Sequence, residues 1–340
     1  YNYEWATRAL MQATGEDYDT CPEKLYTGGY RVYTSIDMNA QKLKAIFDKE
    51  IEGGNEVQEI RIRAGSPILF SVNGNEREIG GANADKELIR ELLGMFSGHS
   101  LYAYEEEIRQ GFITIEGGHR VGLAGRVVMD GKNIKTMKDI SCLNIRLAHE
   151  KTGCSDRLLP WLYDVSKEPY STLFLSPPGA GKTTMLRDVI RQISDGNELA
   201  PGMPVSVVDE RSELGACWRG TPQCDLGRRT DVMDGCPKVL GMTMMIRSMA
   251  PRVLAVDEIG TGEELAAMRE VMKCGCHILA TAHADTIEDI EKKPVLSQMA
   301  GEGMFERYVV LKKFPHPGTV TGIYDRNRCF LGKINEEGTE

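Results

Sequence analysis

The sequence has no long apolar run and no excess of basic residues. No segment approaches the roughly 20 apolar residues of a membrane-spanning helix, and no secretory signal pattern opens the chain. The 41 Lys and Arg residues are outnumbered by 50 Asp and Glu, which gives a formal net charge of −9. A nucleic-acid or anionic-membrane surface would need a basic stripe, so the composition disfavours both kinds of partner.

The nine cysteines show no zinc-binding or disulfide pattern. Their number is odd, no pair of C-x-x-C motifs occurs, and the tightest spacing is Cys274-Gly-Cys276. We therefore expect free thiols in a reducing cytosol. Aromatic residues make up only 7%, but the hydrophobic fraction of 41% is ordinary for a soluble protein. A chain of 340 residues is long enough for two domains with their own cores.

A Gly-rich turn between an apolar run and an amphipathic pattern is the most informative feature of the sequence. The apolar run Leu173–Leu175 breaks into Pro and Gly residues, and Lys182-Thr183 then opens a helical pattern. Backbone N–H groups in such a turn, together with the helix N-terminus, attract a phosphate. We predict that Lys182 contacts the β and γ phosphates of a nucleotide and that Thr183 holds Mg²⁺.

This loop departs from the G-x-x-x-x-G-K-[ST] pattern at its first position, where Ser176 stands in place of Gly. A bare G-K-[ST] is a weak signal, but the flanking strand and helix and an acidic motif downstream strengthen it. The departure keeps one alternative open, a nucleotide-gated scaffold with little turnover. The residues predicted to contact the nucleotide are Pro178, Gly179, Ala180, Gly181, Lys182, Thr183 and Thr184.

The acidic motif follows a second apolar run, Val253–Val256. Four apolar residues in succession predict a strand buried on both faces, as at the centre of a parallel sheet. Asp257 and Glu258 then lie at its carboxyl end, where open α/β sheets bind their ligands. We predict that Asp257 holds Mg²⁺ together with Thr183, and that Glu258 orients or deprotonates the attacking water.

Two further apolar runs also end in polar residues. One begins at Pro204 and reaches Glu210, and the other begins at Cys276 and ends in Thr281 and His283. All four carboxyl ends are expected along one edge of a parallel sheet. Glu210 therefore competes with Glu258 as the catalytic acid. His283 is a candidate γ-phosphate sensor, because an imidazole can hydrogen-bond an anionic oxygen.

Residues 50–150 show the pattern of a smaller α+β domain, and residues 151–340 that of the nucleotide-binding domain, with a linker near Thr152–Ser155. A helix is expected over Leu88–Phe96, and Gly80-Gly81 and Gly117-Gly118 are expected to mark turns. The expected strands are Val57–Ile62, Ile68–Val72, Phe112–Ile115, Arg120–Val128 and Cys142–Leu147.

Several motifs in order resemble the stage III sporulation protein AA family over residues 50–330. They are Lys182-Thr183, Val208-Asp-Glu-Arg-Ser-Glu213, Gly227-Arg-Arg-Thr-Asp231, Gly235-Cys-Pro237, Ile246-Arg-Ser-Met-Ala-Pro251, Asp257-Glu-Ile-Gly260, Ala280-Thr-Ala-His283 and Phe305-Glu-Arg-Tyr-Val-Val310. That family is similar to the ATPases of type II and type IV secretion and of pilus assembly. The resemblance implies an α/β fold with a RecA-like P-loop ATPase core and a smaller N-terminal α+β domain.

The resemblance to secretion ATPases favours Glu210 as the catalytic acid, whereas adjacency to Asp257 favours Glu258. The resemblance also implies an activity, cofactors and partners. We expect an Mg²⁺-dependent ATPase that binds ATP and Mg²⁺ and works as a homo-oligomeric ring, a hexamer. It would act from the mother-cell cytoplasm with the membrane-channel proteins of the sporulation complex, powering a secretion-like channel between mother cell and forespore. Nucleic acid is not an expected partner, although a nucleic-acid-linked RecA-like motor stays an alternative.

Arginines that complete a neighbour's site are a further implication of the resemblance. The similar ATPases carry nucleotide-contacting arginines in the N-terminal domain, and Arg120, Arg126 and Arg146 lie in the corresponding part of this chain. The residues that compete for the same role are Arg228, Arg229 and Arg247.

Residues 1–49 resemble a different protein. The segment Leu25–Gln41 is similar to the start of the transpeptidase domain of class A penicillin-binding proteins, but no S-x-x-K nucleophile motif accompanies it. Because the first residue is Tyr1, we expect the chain to be a fragment or a processed form. Residues 1–49 are thus predicted to be a foreign fragment, with a genuine adaptor segment as the alternative.

Overall fold

The computed structural model describes residues 57–72, 75–97, 100–148 and 150–334. The chain divides into two compact units. The N-terminal unit comprises Tyr1–Ile113 and Arg120–Leu147, and the C-terminal unit comprises Thr114–His119 and Ala148–Glu340. The predicted penicillin-binding-protein-like fragment, residues 1–49, lies outside the described residues.

The N-terminal unit is built on a six-stranded sheet with the order β3-β2-β1-β6-β5-β4. Strand β1 pairs antiparallel with β2 and β6, and β6 pairs antiparallel with β5. The strands are β1 (Val57–Arg63), β2 (Pro67–Val72), β3 (Asn75–Asn83), β4 (Phe112–Ile115), β5 (His119–Asp130) and β6 (Asn133–Arg146). The helices are α1 (Lys86–Phe96) and α2 (Glu105–Gln110), with a 3₁₀ turn at Leu101–Tyr104.

The core of this unit lies between α1 and one face of the sheet. The carboxylate of Asp85 caps α1 by accepting the Leu88 N–H at 2.7 Å, which satisfies a free donor at the helix start. Strand β1 alternates, burying Ile60 and Ile62 while Glu59 and Arg61 stay partly exposed. This period-two pattern is typical of a sheet with one apolar face. The buried residues of α1 are Leu88, Ile89, Glu91, Leu92 and Leu93.

Two expectations for this unit need correction. Gly80-Gly81 does not form a turn but lies inside β3. The pairing of β3 with β2 shifts register there, between Pro67 and Ile68 of β2, and glycines are common at such bulges. Strand β6 begins at Asn133 rather than Cys142, because a long hairpin with β5 extends its pairing. The short helix α2 was not predicted. The turn at Gly117-Gly118 is confirmed, with positive φ at both glycines.

The C-terminal unit is built on an eight-stranded sheet with the order β14-β13-β12-β7-β11-β10-β8-β9. The six strands from β12 to β9 in this order are parallel, while β13 runs antiparallel to β12 and β14. The strands are β7 (Thr172–Ser176), β8 (Val205–Asp209), β9 (Thr230–Asp234), β10 (Val253–Val256), β11 (His277–His283), β12 (Arg307–Lys312), β13 (Thr319–Asp325) and β14 (Phe330–Gly332). The helices are α3 (Lys182–Asp195), α4 (Lys238–Met249), α5 (Gly262–Lys273) and α6 (Pro294–Gly301), with 3₁₀ turns at Leu159–Trp161 and Ile287–Ile290.

Helices cover both faces of this sheet. Leu173 and Leu175 of β7 pack into a cluster with residues of α4, α5 and α6. Phe174, which points to the other face, packs with Leu186 and Val189 of α3. Strands β7, β8 and β10 are buried along their whole length, as the apolar runs predicted. The α/β fold class is therefore confirmed.

The strand order brings the predicted polar ends together. Strand β11 lies between β7 and β10, and β8 lies on the far side of β10. Because these four strands are parallel, their carboxyl ends share one edge. That edge carries the loop after Ser176, His283, Asp257 and the loop after Asp209.

Candidate functional site

The Gly-rich loop after β7 depends on two glycines with positive φ. Gly179 has a φ of 71° and Gly181 a φ of 87°, a backbone conformation that residues with a side chain rarely adopt. A Cβ at Gly181 would lie 2.8 Å from the backbone nitrogen of Gly318, in the turn between β12 and β13. The Gly318 N–H donates to the Ala180 carbonyl at 2.9 Å. The β12–β13 turn thus holds the loop closely against α3.

This loop presents a set of backbone donors. Within the described part of the chain, no acceptor is found for the N–H groups from Gly179 to Thr183. These groups surround the N-terminus of α3, which carries the positive end of the helix dipole. Pro178 and Gly179 are exposed, whereas Ala180 is buried, and Thr184 is half-buried in the first turn of α3. The loop therefore has the properties of an anion-binding site.

Ser176, which stands where the sequence pattern has Gly, is compatible with the backbone conformation of the loop. It is the last residue of β7 and is fully buried. Its hydroxyl donates to the Pro177 carbonyl at 2.8 Å. Its φ is not positive, so the position does not require Gly.

Lys182 lies buried beneath the loop, with 5% of its surface exposed. Its Nζ is 3.3 Å from the Ser176 carbonyl oxygen, 3.4 Å from that of Pro177 and 3.1 Å from Nδ1 of His283. Burial lowers the pKa of Lys182, although the charges of Asp257 and Glu258 act in the opposite direction. The ammonium group is thus desolvated and held by uncharged acceptors.

Thr183 and Asp257, the predicted metal ligands, are in direct contact. The Thr183 hydroxyl donates to Oδ2 of Asp257 at 2.9 Å. The other carboxylate oxygen of Asp257 accepts a hydrogen bond from the Thr281 hydroxyl. Two hard oxygen donors therefore lie side by side at the start of α3.

Glu258 and His283 continue the chain of contacts from Lys182. His283 Nε2 is 3.0 Å from Oε1 of Glu258. Since an ammonium group can only donate, Nδ1 of His283 accepts from Lys182 and Nε2 carries the proton that points to Glu258. The other oxygen of Glu258 lies 2.8 Å from Nη1 of Arg211. A connected polar network therefore runs from Lys182 to Arg211.

Glu210, the competing acid, has a different environment. Its carboxylate is 3.4 Å from Nζ of Lys238, which also donates to the Glu258 carbonyl at 2.7 Å and lies 3.2 Å from Oε1 of Glu264. Glu210 and Glu258 line the same small cleft with Asp257. The structure therefore brings both acids to the site, with only Glu258 in contact with His283.

The loop after β8 is locked by a buried carboxylate. Asp209 accepts the N–H groups of Glu213, Leu214 and Gly215 at 2.8 to 2.9 Å. Burial raises the pKa of Asp209 to about 6, against the effect of these hydrogen bonds. Arg187 of α3 donates to the carbonyls of Glu213 and Leu214, each at 2.7 Å. The loop that carries Glu210 and Arg211 is thus fastened to the helix that begins at Lys182.

Sequence reasoning assigned no role to Arg211, Lys238 or Thr281. Arg211 directly follows Glu210 in a motif that carries the family resemblance, and Lys238 directly follows another at Gly235–Pro237. Their positions in these motifs were the available signal. Their partners are distant in sequence, so the contacts depend on the tertiary fold.

The candidate trans arginines belong to the N-terminal unit. The Arg120 guanidinium lies 3.6 Å from the centre of the Phe112 ring, and Arg146 is 3.6 Å from Glu59. Arg120 and Arg146 are direct neighbours across β5 and β6. Arg126 is exposed beside a bulge in β5.

The competing arginines lie in the C-terminal unit. Arg228 pairs with Asp195 at 3.0 Å, and Arg229 donates to the Ser194 carbonyl at 3.0 Å. Both contacts are at the C-terminal end of α3, about 20 Å along the helix from Lys182 at 1.5 Å per residue. Arg247 is exposed in the last turn of α4.

A strand, a Gly-rich loop and a helix that begins with Lys182-Thr183, facing Asp257 across one intervening strand, define a P-loop NTPase fold of the RecA-like class. The chain belongs to the family described as sporulation stage III, protein AA, which it matches over residues 33–331. It is 43% identical over 280 residues to stage III sporulation protein AA of Bacillus subtilis (strain 168), covering 82% of this chain and 90% of that protein.

Solved structures of ATPases share the fold. The Legionella pneumophila ATPase DotB aligns with a TM-score of 0.55 and 14% identity, covering 83% of this chain and 78% of that one. The pilus retraction motor PilT, solved with bound ADP, aligns with a TM-score of 0.51 and 14% identity, covering 78% and 76%. At such low identity the likeness establishes the fold, and it confirms the RecA-like prediction.

The family match changes one boundary. It begins at residue 33, whereas the motifs placed the start of the resemblance at residue 50. Residues 33–49, predicted to be foreign, therefore lie within the family match. The penicillin-binding-protein resemblance of residues 1–49 stays a prediction. In the described part of the chain, none of the helices has the length and apolar character needed to cross a membrane.

Proposed function

We propose that this chain is an Mg²⁺-dependent ATPase that works as a homo-oligomeric, hexameric ring and drives a secretion-like sporulation channel from the mother-cell side. The observation that carries the proposal is the convergence of Lys182, Thr183, Asp257, Glu258 and His283 at one edge of a parallel sheet. These residues come from three different strand ends and form one contact network.

The loop and Lys182 would bind the nucleotide phosphates. The backbone N–H groups from Gly179 to Thr183, for which no acceptor is found in the described part of the chain, can donate to the oxygens of a phosphate chain. Lys182 is held by two carbonyls and a neutral imidazole, each a weaker partner than an anionic oxygen. Binding would therefore exchange these contacts for charged ones, with little need to move the backbone.

The donor set fits Mg²⁺. This ion takes oxygen ligands and is usually held by one or two carboxylates together with substrate phosphates. Thr183 and Asp257 supply one hydroxyl and one carboxylate in contact with each other. A bound Mg²⁺ would neutralise charge that develops on the phosphates during hydrolysis.

Glu258 is the better candidate for the acid that orients the attacking water. It lies at the same strand end as Asp257, and its carboxylate accepts a hydrogen bond from Nε2 of His283. Both acids have a cationic partner, Arg211 for Glu258 and Lys238 for Glu210, so the contact of Glu258 with His283 is what distinguishes them. His283 contacts both Glu258 and Lys182, which supports the proposal that it senses the γ phosphate.

The ring and its cellular role rest on the family. The curated relative is a stage III sporulation protein, and the similar structures are an ATPase and a pilus retraction motor. In a ring, Arg120, Arg126 or Arg146 of one subunit would reach the nucleotide of its neighbour. This would make hydrolysis dependent on assembly.

Steady-state phosphate release and mass measurement of the purified protein test the proposal together. The unmodified protein should release phosphate from ATP only when Mg²⁺ is present, and the rate of release should rise more than linearly with protein concentration. The measured mass should increase to that of a ring when ATP and Mg²⁺ are added. Lys182→Ala should weaken ATP binding by about 100-fold or more, because it removes the charge that holds two phosphates. Lys273→Ala, which removes a mostly exposed lysine of α5, is the matched control.

Three outcomes would contradict the proposal. Binding without turnover would favour the nucleotide-gated scaffold. Strong, salt-dependent binding to single-stranded DNA or RNA would favour the nucleic-acid motor. Activity strictly proportional to the concentration of a monomer would exclude the ring.

A further inference from the structure

Thr281 connects the two acidic residues of the candidate site. It lies on β11, the strand between β7 and β10, and is fully buried. Its hydroxyl accepts the Glu258 N–H at 2.8 Å and donates to the Asp257 carboxylate. Its carbonyl accepts the Ile259 N–H at 2.8 Å. One residue therefore contacts three successive residues after β10.

Glu258 needs such support because of its backbone. Its φ is 54°, in the left-handed region that residues with a side chain seldom occupy unless the surroundings hold them there. The N–H of Glu258 is bound by Thr281, and its carbonyl accepts from Lys238 at 2.7 Å. The peptide groups on both sides of the residue are thus fixed, and with them the direction of its side chain.

The same hydroxyl sets the orientation of Asp257. Thr281 binds Oδ1, and Thr183 binds Oδ2. The carboxylate is therefore held with one oxygen toward the sheet interior and the other toward the start of α3. A hydroxyl group has one donor and two acceptor sites, so a Ser or Thr can bind both Asp257 and Glu258 at once.

We propose that Thr281 is a positioning residue for hydrolysis, which acts through Asp257 and Glu258 rather than on the nucleotide. The inference rests on the proposed ATPase function and assigns the job of aligning its two acids to one buried hydroxyl. Neighbours that orient metal ligands have effects of this kind, and losing one typically costs about 10- to 100-fold in activity or metal affinity.

The test compares Thr281→Val, which removes the hydroxyl at nearly constant volume, with Thr281→Ser, which keeps it. Thr172→Val is the matched control, because Thr172 is also fully buried in the sheet but bonds the Tyr170 carbonyl at the opposite end of β7. For each variant we would measure kcat, KM for ATP, the Mg²⁺ dependence of turnover, the Mg²⁺ dependence of ATP binding at equilibrium, and thermal stability.

We expect Thr281→Val to lower kcat by about 10- to 100-fold, to change KM less than about 3-fold, and to raise the Mg²⁺ concentration needed for half-maximal activity. Thr281→Ser should restore most of kcat. Thr172→Val should keep turnover and Mg²⁺ dependence even where its melting temperature falls as much as that of Thr281→Val.

Several results would overturn the inference. An unchanged kcat and Mg²⁺ dependence in Thr281→Val would exclude a positioning role, and equal impairment of Thr281→Ser and Thr281→Val would assign the effect to packing. An equal loss in Thr172→Val would assign it to general destabilisation. If the unmodified protein binds ATP but does not hydrolyse it, the proposed function fails. In that case the inference is tested only by the Mg²⁺ dependence of ATP binding at equilibrium. If Thr281→Val leaves this dependence unchanged, the inference is overturned.

Discussion

The two units of this protein place their polar residues in opposite ways. In the C-terminal unit, β7, β8 and β10 are buried along their full length, and chemistry-bearing side chains appear only where the strands end. In the N-terminal unit, β1 alternates, and its charged residues Glu59 and Arg61 lie along the strand. A covered parallel sheet therefore concentrates reactive groups at one edge, whereas an antiparallel sheet with one apolar face spreads them over the other.

The electrostatics of the candidate site differ from those of the N-terminal sheet. At the site, burial lowers the pKa of Lys182 and raises that of Asp209, whereas elsewhere in the same unit burial is outweighed by hydrogen bonds that lower the pKa of Asp188 and Glu264. Burial also acts to raise the pKa of Glu59 in the N-terminal unit, but hydrogen bonds from Asn144 and Arg61 and nearby positive charge more than offset it, so the pKa is lowered. The contrast is thus between the candidate site and Glu59, rather than between the two units as wholes.

The largest expected effect concerns the edge of the parallel sheet. Glu258→Gln should keep ATP binding and lower kcat by about 10²- to 10⁴-fold, because the phosphate contacts remain while the proton acceptor is lost. Glu210→Gln should keep appreciable turnover, since Glu258 and its contact with His283 remain in place. Phosphate release and nucleotide affinity measured on both variants would decide between the acids. The reverse pattern would assign the role to Glu210, and two fully active variants would remove the hydrolase assignment.

The next effect tests whether the two cores are separate. Phe174 and Phe70 are both fully buried, one in each unit. Replacing either by Ala should lower the free energy of unfolding by about 3–5 kcal/mol, through lost burial and a cavity. Only Phe174→Ala should also weaken ATP binding, because Phe174 packs beneath α3. Denaturant unfolding and ATP titration of both variants check this, and an equal loss of affinity in Phe70→Ala would contradict the division of roles.

A smaller effect, opposite in sign for Asp209 and Glu59, should appear with pH. The folded pKa of Asp209, about 6, lies above its unfolded value, so its contribution to stability is full below about pH 4 and is lost as the pH rises through 6, by at most about 3 kcal/mol. The folded pKa of Glu59 is lowered, so its contribution is present above about pH 4.5 and is lost as the pH falls further.

Denaturant unfolding between pH 3 and 8 measures both contributions. Asp209→Asn should flatten the change in stability between about pH 4 and 6, and Glu59→Gln should flatten the change below about pH 4.5. A profile in Asp209→Asn that matches the unmodified protein would show that Asp209 does not bind a proton in that range.

The smallest effect concerns the departure from the loop pattern. Ser176→Gly restores the pattern, yet it should leave turnover within about 3-fold and lower stability by about 1 kcal/mol, since Gly weakens a strand interior. Kinetics and thermal unfolding of this variant provide the measurement. A large gain in turnover in Ser176→Gly would mean that Ser176 limits the rate of hydrolysis.

Local patterns predicted the four strands that carry the candidate site, β7, β8, β10 and β11, because these are short, continuous apolar runs with a clear end; β9, β12, β13 and β14 were not predicted. The runs before Asp257 and His283 both became central parallel strands. The N-terminal unit was harder. The pattern of β3 is interrupted by Gly80-Gly81, and the hairpin that extends β6 to Asn133 is exposed and carries no continuous apolar signal.

The sequence by itself determined the local chemistry of this protein: a Gly-rich turn before Lys182-Thr183, acids after an apolar strand, and the family to which these motifs belong. These features follow from backbone conformation and hydrophobic pattern within a few residues. Only the tertiary structure decided that β11 lies between β7 and β10 and brings Thr281 and His283 against Asp257, Glu258 and Lys182. It also placed Gly318 against the loop and Lys238 against Glu258. Strand order and such contacts depend on packing between segments far apart in the chain, which no local pattern encodes.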